Sequence, residues 1–196
     1  AGVVLLERGP GYSFLALSVP LLGMAKAPRY FQEYRTCEQV HCNRRKVYFP
    51  VARTMGGGSA VNSMLYARGE RRAYNRWHEQ GAEGWHYDGV LPYFRKMEDF
   101  DGGENHYHGK GGPVDISGAR YKSRFGRAFV DACVEAGLKR NDDFSGAGQT
   151  GAGFYQFTQT NGVRSTTAVG HLRSVVSKNN LRVLKKVEAD RVIFDG

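Results

Sequence analysis

The sequence predicts a mixed α/β chain with large connections, and three observations carry that prediction. Val3 to Leu6 is a short continuous apolar run stopped by Arg8-Gly9-Pro10-Gly11, the pattern of a buried parallel strand. Phe125 to Ala136 places Phe125, Phe129, Ala132, Cys133 and Ala136 on one helical face, with Gly137 as the stop. Leu181 to Leu184 and Arg191 to Phe194 then return to short apolar strands. Glycine supports large, tightly turned connections. It fills 26 of 196 positions, against a usual share of roughly 7%, and shows no collagen period.

The other elements follow in order. Residues 12 to 50 read as irregular. Gly56-Gly57-Gly58-Ser59 opens a segment through Gly69 in which Val61, Met64, Leu65 and Arg68 have helical spacing. Glu70 to Gln80 and Asp88 to Asp99 read as helices, the second with Asp88 as N-cap. Phe100 to Gly112 is a polar, glycine-rich loop. Gly153 to Thr160 reads as a strand and Thr166 to Ser177 as a helix. No repeat is visible.

Charge and composition remove several function classes. Lys and Arg number 28 against 19 Asp and Glu, a net +9, but no zinc-finger, RRM or KH signature accompanies the excess. A dinucleotide, an anionic substrate or a merely solvated surface uses the same charge, so no nucleic-acid partner is expected. No apolar run approaches the ~20 residues of a membrane helix, since Ser18 and Pro20 break Phe14 to Leu22. No transmembrane segment is expected. Ala1-Gly2-Val3-Val4 is preceded by no Met or basic region, so a signal peptide is not expected and the chain is expected to begin inside a fold. Cys37, Cys42 and Cys133 are too few for a disulfide scaffold and favour a reducing intracellular compartment.

Several constellations bear on chemistry. Glu7 ends an apolar strand, where an acid either hydrogen-bonds the ribose of a dinucleotide or is simply solvated. The ribose reading needs a preceding strand and G-x-G-x-x-G turn. Gly146-Ala147-Gly148-Gln149-Thr150-Gly151 matches that pattern but precedes a strand instead of a helix, so it reads as a plain glycine loop. Gly56 to Ser59 has the right polarity, either for a phosphate or flavin cradle or for a tight structural turn. His106-Tyr107-His108 lacks metal-ligand partners and reads as a surface loop, and Cys37, His41 and Cys42 lack a second paired half. No metal site is expected. Ser59, Ser63 and Ser165 stand in no nucleophile elbow. Tyr66, Tyr74, Trp77, Trp85 and Tyr87 read as core aromatics.

Together these stretches resemble the glucose-methanol-choline (GMC) family of FAD-dependent oxidoreductases, most of all its choline- and alcohol-dehydrogenase branch. The matching runs are Val4 to Pro10, Ala52 to Gly69, Tyr74 to Trp77, Gly84 to Phe94 and Tyr107 to Pro113. Asn141 to Phe144, Gly153 to Gln156, Asn161 to Ser165 and Asn180 to Leu184 continue them in the correct order.

The resemblance implies a partial Rossmann-like FAD-binding domain with the start of a substrate-binding domain. It places an FAD-binding region at 1–112, the start of the substrate region at 113–162 and a return to the FAD region at 163–196. Glu7 resembles the family's ribose-binding acid. Thr54, Gly57, Gly58 and Ser59, with Asn62, Ser63, Met64 and Leu65, match positions along the pyrophosphate, ribityl chain and flavin ring. Ala189, in an expected hairpin after Leu184, matches an adenine contact. Val61 stands where some relatives carry a flavin-linked His, so the FAD is expected to be non-covalent. The pattern departs where Val51 replaces the usual Arg of Pro-Arg-Gly-Lys, with Arg53 keeping a charge nearby. The family's glycine turn is expected upstream of Ala1 and its catalytic His downstream of Gly196, so no catalytic residue is expected here and this stretch alone is expected to be inactive. The implied activity is oxidation of choline, another primary alcohol or a polyol by hydride transfer to flavin N5. A flavin-dependent fatty-acid photodecarboxylase and a non-catalytic binding module are the alternatives.

Overall fold

The computed structural model describes residues 2–11, 17–18 and 27–194, so most of the apolar run at Phe14 to Leu22 lies outside the described residues. The chain forms two compact units, one of residues 1–63 with 166–196 and the other of residues 64–165.

In the first unit, β1 (Val3–Glu7) pairs in parallel with the strand Leu181–Lys185, Val3 opposite Leu181 and Glu7 opposite Lys185. The parallel strand is present but not buried: Val3 to Leu6 are 36–58% exposed, since among the described residues one strand pairs with it and no layer covers its faces. The region read as irregular holds a short helix, α1 (Ala27–Tyr30), and an antiparallel ladder of β2 (Phe31–Arg35) with β3 (Tyr48–Ala52). Pro50 inside β3 disguised it. A two-stranded ladder leaves each strand one free edge, where a proline is tolerated. Leu17, Tyr30 and Ala60 form this unit's buried cluster, with Phe31 and Val61 packed against it.

The helix read through Gly69 is absent. Gly56 (φ +93) and Gly57 (φ +53) turn the chain into a single 3₁₀ turn, Gly57–Ala60. Met64 then takes φ +62 and β4 (Leu65–Tyr66) follows. A left-handed residue cannot continue a helix, so the spacing of apolar residues misled. Likewise Thr166–Ser177 is a π-type turn at Ala168–Leu172 followed by turns, and 191–194 has no strand. The hairpin expected after Leu184 is therefore not formed among the described residues, and Ala189 is exposed.

In the second unit, α2 (Arg71–Glu79), α3 (Tyr87–Met97) and α4 (Arg124–Glu135) lie where they were read. The cap of α3 is His86, not Asp88: the His86 Nδ1 accepts from the Gly89 N–H at 3.1 Å. Ser123 caps α4 in the same way, and Gly137 (φ +97) stops it. The expected apolar face of α4 is not buried. Phe125 and Phe129 are 83% and 63% exposed, and Val130 is the buried position. The strands β5 (Glu98–Phe100) and β6 (Val114–Ile116) pair in parallel, and β4 pairs with β7 (Gln156–Phe157). A hairpin, β8 (Gln159–Thr160) and β9 (Val163–Arg164), turns at Asn161-Gly162, both with positive φ as the type I′ turn requires. The final strand, Leu181–Lys185, is β10. Tyr66, Val114 and Ile116 form the core here, with Met97 and Phe100 against them.

Candidate functional site

The carboxyl end of β1 organises the first unit's candidate site. Glu7 is half-buried, and its Oε1 accepts the Gly9 N–H at 2.6 Å. Gly9 must be glycine because a Cβ would collide with the Arg53 carbonyl. The chain leaving β10 is tied to the same end, with Lys186 N–H donating to the Gly9 carbonyl and Val187 N–H to the Glu7 carbonyl. An Arg8–Glu188 ion pair at 3.0 Å lies one residue before Ala189.

Thr54 is buried, and its hydroxyl donates to the Pro10 carbonyl, which also receives the Met55 N–H. Ser59 donates to the Gly56 carbonyl at 2.6 Å and accepts the Thr167 N–H at 3.1 Å, binding the glycine turn to Thr167. Both hydroxyls thus brace the turn. Gly57 and Gly58 face open space, since a Cβ on either meets nothing within 4 Å. With only a 3₁₀ turn behind them, no helix dipole assists at this point. Asn62 and Ser63 are exposed and belong to the first unit. In the second, Met64 is buried, with its carbonyl bonded to the Thr158 N–H, and Leu65 is exposed.

In the first unit, Arg53 carries a buried unsatisfied atom among the described residues. Its N–H donates to the Tyr30 carbonyl at 2.7 Å, but its buried Nε has no acceptor among the described residues. An apolar groove of about 340 Å³ in the same unit is lined by Leu5, Met55, Gly56, Ala168, His171 and Leu172, among others.

Sequence reasoning missed a buried charge network in the second unit. His108, read as part of a surface loop, is 0% exposed. Its Nδ1 lies 3.3 Å from Glu98 Oε2 and its Nε2 3.1 Å from Asp143 Oδ2, and its ring stacks on Phe100 at 4.0 Å. Glu98 also accepts from the Arg68 guanidinium, the Tyr66 hydroxyl at 2.9 Å and the Gly109 N–H at 2.8 Å. Burial opposes the charge on His108, but the hydrogen bonds and charges of Asp143 and Glu98 outweigh it and raise the imidazole to about 9. Burial likewise opposes ionisation of Glu98 and Asp143, yet His108 and the surrounding donors hold both below their usual values. No periodicity could have shown this, because the partners come from separate segments. The Gly146–Gly151 loop closes on Asn141, whose Nδ2 donates to the carbonyls of Gly148 and Thr150, as expected of a plain glycine loop. The described residues hold no cluster of three or more His, Cys, Asp or Glu able to bind a metal, and no helix long and apolar enough to cross a membrane.

The family model described as GMC oxidoreductase matches residues 15–196. The chain belongs to the GMC oxidoreductase family. It is 36% identical to mouse mitochondrial choline dehydrogenase over 99% of this chain and 34% of that protein. It is 34% identical to an alcohol dehydrogenase [acceptor] of Pseudomonas putida over 98% of this chain and 36% of that protein. The crystal structure of pyridoxine 4-oxidase from Mesorbium loti superposes with a TM-score of 0.92 at 28% identity, covering 100% of this chain and 39% of that one. An FAD-dependent oxidoreductase from Chaetomium thermophilum gives 0.84 at 28% identity, covering 93% and 34%. The GMC chain thus spans about a third of the length of the relatives it matches. The expected partial Rossmann-like α/β fold of GMC type is borne out by this agreement.

GMC oxidoreductases are FAD flavoproteins, and the residues of the first unit fit that group. A buried guanidinium N–H without an acceptor among the described residues suits its phosphates, an acid at a strand end suits its ribose hydroxyls, and open space above two glycines admits close backbone approach.

Proposed function

We propose that this chain forms part of an FAD-dependent oxidoreductase acting on an alcohol, with choline, other primary alcohols or polyols as the substrate class. The observation that carries the reading is the unsatisfied Arg53 beside the Glu7 strand end, in a chain matched over nearly its whole length by choline and alcohol dehydrogenases. FAD, when bound, supplies the hydride-accepting ring.

The chain's own residues bind and orient. Glu7 holds ribose hydroxyls, chiefly through Oε2, because Oε1 already serves Gly9. Gly57 and Gly58 let backbone lie against the cofactor, while Thr54 and Ser59 keep their turn rigid. Asn62 and Ser63 offer exposed polar groups next in the chain, with Met64 and Leu65 following, and Ala189 contributes backbone to the adenine. Val61 packs its aliphatic side chain against Leu17, Tyr30 and Ala60 and offers no nucleophile, so FAD is held non-covalently. No proton acceptor is assigned to this chain. Except for Met64 and Leu65, these residues belong to the discontinuous unit, 1–63 with 166–196.

The test is reduction of an artificial electron acceptor by the full-length protein with choline and a panel of primary alcohols, alongside its visible spectrum. A flavin spectrum with alcohol-dependent reduction is expected. A purified protein that takes up no flavin would overturn the reading.

A further inference from the structure

We infer that Arg53 is the anion-binding residue of the first unit and that its ligand is the diphosphate of a dinucleotide. The inference rests on the FAD reading above and narrows it to one side chain.

What sets Arg53 apart is a buried guanidinium nitrogen with no hydrogen-bond partner among the described residues. Arg8, Arg68, Arg71, Arg95 and Arg140 each meet a carboxylate within 3.0 Å, whereas Arg53 meets none among the described residues. Its Nε is buried away from water and has no acceptor among the described residues. A buried donor left unpaired forfeits its hydration without compensation, a cost that a bound anion removes.

The backbone explains why that donor is held there. The Arg53 N–H is bonded to Tyr30, and its carbonyl abuts Gly9 so closely that no Cβ fits between. Gly9 in turn donates to Glu7. The guanidinium thus springs from a backbone pinned on both sides, one residue contact from an acid whose Oε2 has no partner among the described residues. A guanidinium fork suits phosphate, and a carboxylate suits sugar hydroxyls. A nucleotide diphosphate presents both groups in sequence. A carboxylate ligand would leave Glu7 unused and repel it.

The experiment titrates FAD, riboflavin and inorganic pyrophosphate against the full-length protein and its Arg53→Met and Arg53→Lys variants, with flavin fluorescence as the readout. Arg53→Met is expected to raise the Kd for FAD by about tenfold to a hundredfold. Its riboflavin affinity is expected to stay as in the unsubstituted protein, and the melting temperature of its cofactor-free form to hold or rise, because methionine removes the unpaired buried donor. Arg53→Lys keeps part of the FAD affinity, and pyrophosphate competes with FAD less well in Arg53→Met. Equal FAD affinity in both proteins overturns the proposal and leaves the cofactor reading standing. A parallel loss of riboflavin affinity, or a lowered melting temperature, overturns it too by making Arg53 a structural residue. An unsubstituted protein that binds no flavin removes the cofactor reading and this proposal together.

Discussion

Replacing His108 by Gln tests the buried network most directly. The imidazolium sits between Glu98 and Asp143, and Glu98 is 0% exposed, so its removal strands a buried carboxylate. Breaking such a pair typically costs about 3–5 kcal/mol. The low end applies here because Arg68 still neutralises Glu98 and the Asp143 side chain is 37% exposed. Linkage gives a similar figure. An imidazole raised from 6.5 to about 9 is 2.5 units higher in the folded state, and at 1.36 kcal/mol per unit this is roughly 3 kcal/mol. Because the folded value lies above the unfolded one, this contribution is complete below about pH 6.5 and is lost as pH rises through 9. Thermal unfolding of His108→Gln by circular dichroism at pH 6 should show the second unit melting about 10–20 °C lower. The gap should close toward pH 10. His106→Gln, exposed in the same loop, serves as the control. A gap that is absent at pH 6, or unchanged from pH 6 to 10, would refute the charged-histidine account.

Three further outcomes are expected. Glu7→Gln keeps a carbonyl for Gly9 but loses the charge, so FAD affinity in a fluorescence titration falls by roughly ten- to a hundredfold, with Glu104→Gln unchanged; equal affinities would remove the ribose assignment. Gly9→Ala drives a methyl into the Arg53 carbonyl and lowers stability by about 1–3 kcal/mol, whereas Gly58→Ala meets only open space and stays within about 0.5 kcal/mol in the cofactor-free protein while losing flavin affinity. Denaturant unfolding and flavin titration check both, and unchanged flavin affinity in Gly58→Ala would take Gly58 out of the site. Acid precipitation should release all flavin into the supernatant; flavin retained on the precipitated polypeptide would contradict the assignment of Val61.

The sequence by itself determined the elements whose signal is local. The helices α2 and α4, the strands β1 and β10 and the Gly137 stop follow from periodicity and capping within a dozen residues, and the ordered GMC motifs identified the family. Tertiary structure alone decided whatever depends on distant partners. Val3 pairs with Leu181 across almost the whole chain, and residues 59–69 lose their helix because Met64 turns left-handed with its carbonyl bonded to Thr158. Four polar side chains, Tyr66, Arg68, Glu98 and Asp143, join His108 in one network and bury what composition alone would leave in water. Arg53 shows the converse: its charge is legible in the sequence, but only the folded neighbourhood reveals that no acceptor among the described residues reaches its buried Nε. Propensity is a property of a residue and its near neighbours, whereas burial and charge compensation are properties of the packed whole.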